Sequence, residues 1–86
     1  MKMVYRGPNK ALLMFWKMFE TILEKNYSKE HKKGTVKTWF EDDNTLIIET
    51  TEKRFERDMK SDYGGIRGRI NRLKLRPLGV KVELIE

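Results

Sequence analysis

The sequence predicts an α+β domain in which a three-stranded sheet is covered by helices, and three observations carry that prediction. Apolar residues recur at three- and four-residue steps from Leu12 to Tyr27, the period of a helix packed on one side. Residues 35–40 and 45–50 are rich in β-branched and aromatic side chains and flank an acidic turn, as the arms of a hairpin do. The last third of the chain runs from a glycine-rich turn into an arginine-studded helical stretch and closes on an alternating segment.

In chain order, residues 1–8 form an N-terminal extension. Pro8 and Asn9 mark a helix start, with Asn9 as the N-cap of a helix from Lys10. Leu12, Phe15, Phe19, Ile22, Leu23 and Tyr27 are its core stripe. Leu13, Met14, Trp16 and Met18 widen the apolar arc, so its first half is either buried on several sides or offers a surface for self-association. The second half turns polar and basic towards Lys33, and Gly34 stops it.

Glu41, Asp42, Asp43 and Asn44 are the hairpin turn. Thr51 caps a short helix over residues 52–61, where Phe55 and Met59 pair on one face above the basic flank of Lys53, Arg54, Arg57 and Lys60. Gly64 and Gly65 end that helix. A second short helix places Ile66, Ile70 and Leu73 inward and Arg67, Arg69, Arg72 and Lys74 outward. Pro77 halts it, Leu78 and Gly79 turn the chain, and residues 80–84 alternate as the third strand. That strand is long enough removed from the hairpin to lie parallel to its second arm.

At 86 residues the chain is sized for one domain and one core, with no room for a deep cleft between lobes. The absence of cysteine excludes disulfides and thiolate metal sites, and with them any need for an oxidising compartment, so a cytoplasmic address is expected. The longest early apolar run, residues 11–16, is far short of the roughly 20 residues of a membrane span. The net charge of +6 is unevenly placed: residues 1–33 hold eight Lys/Arg against three acids, 34–52 one against five, and 53–86 ten against five. Two basic segments flanking an acidic middle favour a polyanionic partner, although lysines on a small domain also serve solubility alone.

The segment Gly65-Ile66-Arg67-Gly68-Arg69-Ile70-Asn71-Arg72-Leu73-Lys74-Leu75-Arg76 holds the chemistry. Glycine lets a backbone approach a ligand closely, and arginine offers a planar, permanently charged fork for phosphate oxygens. Gly65, Ile66, Arg67, Gly68, Arg69, Arg72, Lys74 and Arg76, with Arg57 and Lys60 before them, are the candidate nucleic-acid-binding residues. The competing explanation is structural: a glycine that caps one helix, a glycine that lets two helices pack, and a solvated basic face.

The order helix, strand, strand, helix, turn, helix, strand, with Gly65-Ile66-Arg67-Gly68 in the turn, resembles the type II, prokaryotic KH domain. Ile66-Arg67 and Leu75-Arg76 around the basic helix are similar to the ribosome-binding factor A family of KH-like proteins. The resemblance implies a sheet covered by helices and a GxxG turn that grips about four nucleotides of single strand. Gly64 stands where the KH pattern has Ile or Val, and the hairpin turn is acidic.

Tyr63 and Trp39 are aromatics able to stack on bases or to fill the core, and Ile66, Ile70 and Ile47 are candidate supports for unstacked bases. His31, the single histidine, sits on a polar helix end and reads as solvated; no second histidine stands at metal spacing. No catalytic residue, metal or cofactor is therefore expected, and the chain reads as a binding protein rather than an enzyme. Its expected partner is a nucleic acid, RNA in preference to DNA, with no membrane and no small-molecule substrate. The alternative is a protein-interaction module, a homodimer or a phage-type regulator docking on a host protein, through Leu13, Met14, Trp16 and Met18. Duplex DNA binding by the same basic face is the lesser option.

Overall fold

The first strand arises where the sequence led us to expect an extension. In the computed structural model, which describes residues 1–86 apart from the side chains of 62 and 65–67, Lys2–Arg6 forms β1. It is followed by α1 (Asn9–Asn26), α2 (Ser28–Lys33), β2 (Val36–Asp42), β3 (Thr45–Thr50), α3 (Lys53–Tyr63), α4 (Gly65–Leu75), a 3-10 turn (Arg76–Leu78) and β4 (Lys81–Ile85). The sheet has four strands in the order β2-β3-β1-β4, not three, and every neighbouring pair is antiparallel. β1 is paired along its whole length on both sides, Val4 lying between Ile47 and Glu83. β3 and β4 therefore run in the same direction, but β1 separates them and the expected direct parallel pairing does not occur. This strand order is that of the split β-α-β, ferredoxin-like arrangement.

A strand hydrogen-bonded on both edges and shielded on both faces need not alternate. Met3, Val4 and Tyr5 are all buried, which is why three apolar residues in a row carry no strand period. Met3 and Tyr5 join Leu46 and Ile48 beneath the helices. Val4 and Ile47 point to the other face, flanked by the Lys2–Glu49 and Arg6–Glu83 ion pairs.

On the helical face α1 buries Leu12 and Leu23 completely, Phe15 stacks on Tyr5, and Phe19 meets the same ring at a tilt. Ile22, expected on this stripe, stays exposed. Pro8 rather than Asn9 holds the N-cap position, and the Asn9 amide donates instead to Asp43 O at 2.7 Å. The acidic turn is thus fastened to the start of α1, and reciprocal bonds between Gly7 and Asn44 reinforce the join.

The single helix expected up to Lys33 breaks at Tyr27, whose φ of −135° leaves the helical region. Its ring there meets Phe55 edge-on, its hydroxyl donates to Asp58 Oδ2, and Arg54 lies over its face. Desolvation first, then the Asp58 carboxylate, push the Tyr27 phenol up to about 12. Arg54 also donates to Asn26 O and Glu30 Oε1, so this arginine binds α3 to the α1–α2 junction. Gly34 ends α2 with φ 78°, as expected of a helix-stopping glycine. His31, expected to be solvated, is half-buried: Nδ1 lies 3.1 Å from Val36 O and Nε2 3.7 Å from Glu20 Oε2, so it joins α2 to β2 and α1.

Phe55 and Met59 are buried as expected of α3. Thr51 does not cap α3: Glu52 holds the N-cap position without a side-chain bond, and just ahead of it the Thr50 hydroxyl accepts from Glu52 N and donates to Thr35 O. α3 crosses one end of the sheet, reaching Asn26 through Arg54 and Glu86 through Lys60, and α4 then leads back to β4.

Candidate nucleic-acid interface

Between α3 and α4 stands a single non-helical residue, Gly64, with extended φ/ψ of −88° and 165°. The GxxG sequence is therefore not a free loop; residues 65–68 lie in the first turn of α4. Gly68 N donates to Gly64 O at 3.0 Å, and Gly68 is buried against the end of α3. A Cβ there would stand 1.6 Å from Tyr63 O and 2.1 Å from Tyr63 C, so only glycine lets the helices meet this closely. The close approach at Gly68 is to a neighbouring backbone.

This contact sets the roll of α4 about its axis. At about 100° per residue, Gly68, Arg72 and Leu75 share one line. Leu75 packs on the core, and the Arg72 guanidinium lies 5.0 Å from the Tyr63 ring centroid with Nη1 3.5 Å from Tyr63 O. Ile70 and Leu73, expected to face inward, are on the opposite side and 47% and 56% exposed. Glycine displaced them because a bare Cα allows the helix pair to close further than a branched side chain would. Gly65, Ile66 and Arg67, named from the sequence as binding residues, lie outside the described side chains.

What α4 presents to solvent is an apolar ridge, Ile70 and Leu73, with Arg69 on one side and Lys74 on the other. Arg76 follows in the 3-10 turn. Arg57, Arg69, Lys74 and Arg76 are exposed, and among the described residues no carboxylate is within ion-pair distance of any of them. Lys60 differs, with its amine 3.2 Å from Glu86 Oε1. Arg72 is engaged by Tyr63 but retains donors, since a guanidinium has five.

Of the supports suggested by the sequence, Ile70 lies at this surface, Ile66 is outside the described side chains, and the others are elsewhere. Trp39 and Ile47 are cross-strand partners on the open face of the sheet, away from the helices, whereas Tyr63 serves Arg72. Four-stranded sheets that bind single strands on an open face stack bases on aromatic side chains. Here the two central strands supply Val4 and Ile47, both buried by their neighbours, so the aromatic of that face is the half-buried Trp39 on the edge strand β2, with no ring opposite it on the central strands.

The proposed interaction surface divides. Leu13, Met14 and Met18 are exposed, Met14 by 66%, whereas Trp16 is half-buried and its ring lies 6.4 Å from that of Phe40. No cluster of potential metal ligands occurs among the described residues, and no described helix is long and apolar enough to cross a membrane. No family model, curated protein or solved structure matches this chain.

Proposed function

We propose that this is a small, non-catalytic nucleic-acid-binding domain that holds single-stranded RNA in preference to DNA along α4 and the adjoining face of α3. One observation carries the proposal: Arg57, Arg69, Lys74 and Arg76 are exposed without a carboxylate partner among the described residues. Phosphates satisfy such guanidinium groups with charge-assisted hydrogen bonds and release condensed cations as they bind. Ile70 and Leu73 between the cations are supports against which unstacked bases can lie. The grip differs from that implied by the KH resemblance, because the Gly68 amide is spent inside the helix and side chains supply the contacts.

The test is binding of a short single-stranded RNA, the matching DNA strand and a duplex at two salt concentrations. For single strands the slope of log K against log salt is about −0.7 per phosphate neutralised, so a triple variant Arg57→Gln, Arg69→Gln, Arg76→Gln is expected to lose about two units of slope. An unchanged slope would remove these residues from the interface. A second reading, self-association through α1, is favoured by the exposure of Leu13, Met14 and Met18. Light scattering that reports a monomer at every concentration would dismiss it.

A further inference from the structure

α1 and the α3–α4 pair stand apart on the sheet, and the space between them is a trench. Its larger part has a volume of about 510 Å³, with Phe15, Phe19 and Ile22 from α1 on one wall and Leu75 and Leu78 on the other. Met3 and Tyr5 form the floor and are shared with a second recess of about 280 Å³ that reaches Tyr27 and Asp58. Protein interiors close such gaps, because helices on one sheet gain dispersion energy and bury apolar area by meeting. A half-open apolar trench of this size instead falls within the range of small-molecule sites, about 300–1,000 Å³.

The charge at its mouth restricts what fits. Arg72 and Lys74 stand on the α4 rim, and no carboxylate among the described residues pairs with either. The Arg72 contact with Tyr63 O, at 3.5 Å, is at the limit of a hydrogen bond and leaves donors free. Among the described residues the acid lining the trench is Asp58, which belongs to the second recess and accepts from Tyr27. An apolar trench with cations at one end is complementary to a single-chain anionic amphiphile: the chain lies along Phe15, Phe19, Ile22 and Leu75, and the carboxylate or phosphate head meets Arg72 and Lys74.

We propose that the trench between α1 and α4 binds such an anionic amphiphile. The site adjoins the nucleic-acid surface and shares Lys74 with it, whereas Arg57, Arg69 and Arg76 do not line it. The experiment is calorimetric titration of the whole chain with laurate, dodecyl phosphate and dodecyltrimethylammonium, each below its micelle concentration, with amide and methyl shifts followed by NMR. Laurate or dodecyl phosphate is expected to bind and to shift Phe19 and Leu75, with the stronger of the two naming the head group, while the cation of equal chain length does not.

Removal of the paired cations in Arg72→Gln with Lys74→Gln is expected to weaken binding at least about tenfold, in keeping with charge-assisted bonds of about 1.5–3 kcal/mol. Ile22→Trp, at an exposed wall position, is expected to block the trench while leaving RNA binding intact, and Met18→Trp serves if that variant fails to fold. The proposal is overturned if neither anion binds, if the cationic amphiphile binds equally well, or if the trench-filling variant binds laurate as the parent does. In the Arg57/Arg69/Arg76 variant RNA binding is expected to weaken while laurate binding is retained; unchanged RNA binding there would be a failure of the functional proposal alone, and absence of laurate binding in the parent a failure of this one alone.

Discussion

Gly68→Ala is the perturbation that most directly probes how α4 is placed. The added Cβ would lie 1.6 Å from Tyr63 O, whereas ordinary contacts begin at 3.4 Å, so α3 and α4 must separate by well over an ångström or α4 must roll. Overpacking of this kind costs about 1–3 kcal/mol, and contact with rigid backbone places it at the upper end. Replacing a helical glycine by alanine returns about 1 kcal/mol of intrinsic propensity. The net expectation is a loss of about 2 kcal/mol, which for a domain of this size lowers Tm by about 8–16 °C. Gly64→Ala is the internal control: its φ/ψ is open to any residue and its Cβ would meet only Lys60 O at 3.0 Å, so its cost is expected to stay below about 1 kcal/mol. Thermal and denaturant unfolding of both variants checks the ranking. RNA binding of Gly68→Ala measured well below its Tm is expected to persist, because the contacts proposed are side chains. A Gly68→Ala protein as stable as its parent would refute the packing argument, and one that is folded but blind to RNA would restore a backbone grip at the glycine turn.

Three further outcomes follow from the fold. Val4→Asp is expected to unfold the domain, because Val4 is buried between two paired strands and an unpaired carboxylate there costs several kcal/mol; a cooperative unfolding transition near that of the parent would show β1 to be dispensable. Tyr27 is held neutral more strongly in the folded state than in the unfolded chain, whose phenol titrates near 10. Its contribution is therefore complete below pH 10 and declines as pH rises through about 12, and Tyr27→Phe, costing about 1–2 kcal/mol at neutral pH, should flatten that alkaline loss in paired denaturation curves. The Thr38 hydroxyl is buried on the helical face without a hydrogen-bond partner, so Thr38→Val is expected to raise stability by about 1 kcal/mol in urea titration; a loss would mean that the hydroxyl is satisfied in solution.

The helix over α1, the β2–β3 hairpin, the α3 pair of Phe55 and Met59 and the closing strand were legible because each carries its own period or its own turn chemistry. So was the cationic character of α4, which is a count of residues and needs no fold. β1 was not legible, since Met3, Val4 and Tyr5 neither alternate nor extend far enough to signal a strand. The break at Tyr27 was hidden as well: its cause, the contacts with Phe55 and Asp58, lies about thirty residues further along the chain. Arg54 read only as part of a basic flank and His31 as solvated, because their partners also come from other elements.

The candidate site shows the division most sharply. Composition determined by itself that a helix near the C-terminus would be rich in arginine and carry one apolar stripe, because charge and period are properties of the chain. Which side of that helix met the protein was decided only by the tertiary structure. Ile70 and Leu73 offered one face and Gly68 another, and the glycine face prevailed because the Tyr63 carbonyl fits where any Cβ would stand. The periodicity of a helix records that it has two unlike sides, whereas the choice between them depends on the shape of the neighbour, here the end of α3, which takes its position only once the chain has turned at Gly64.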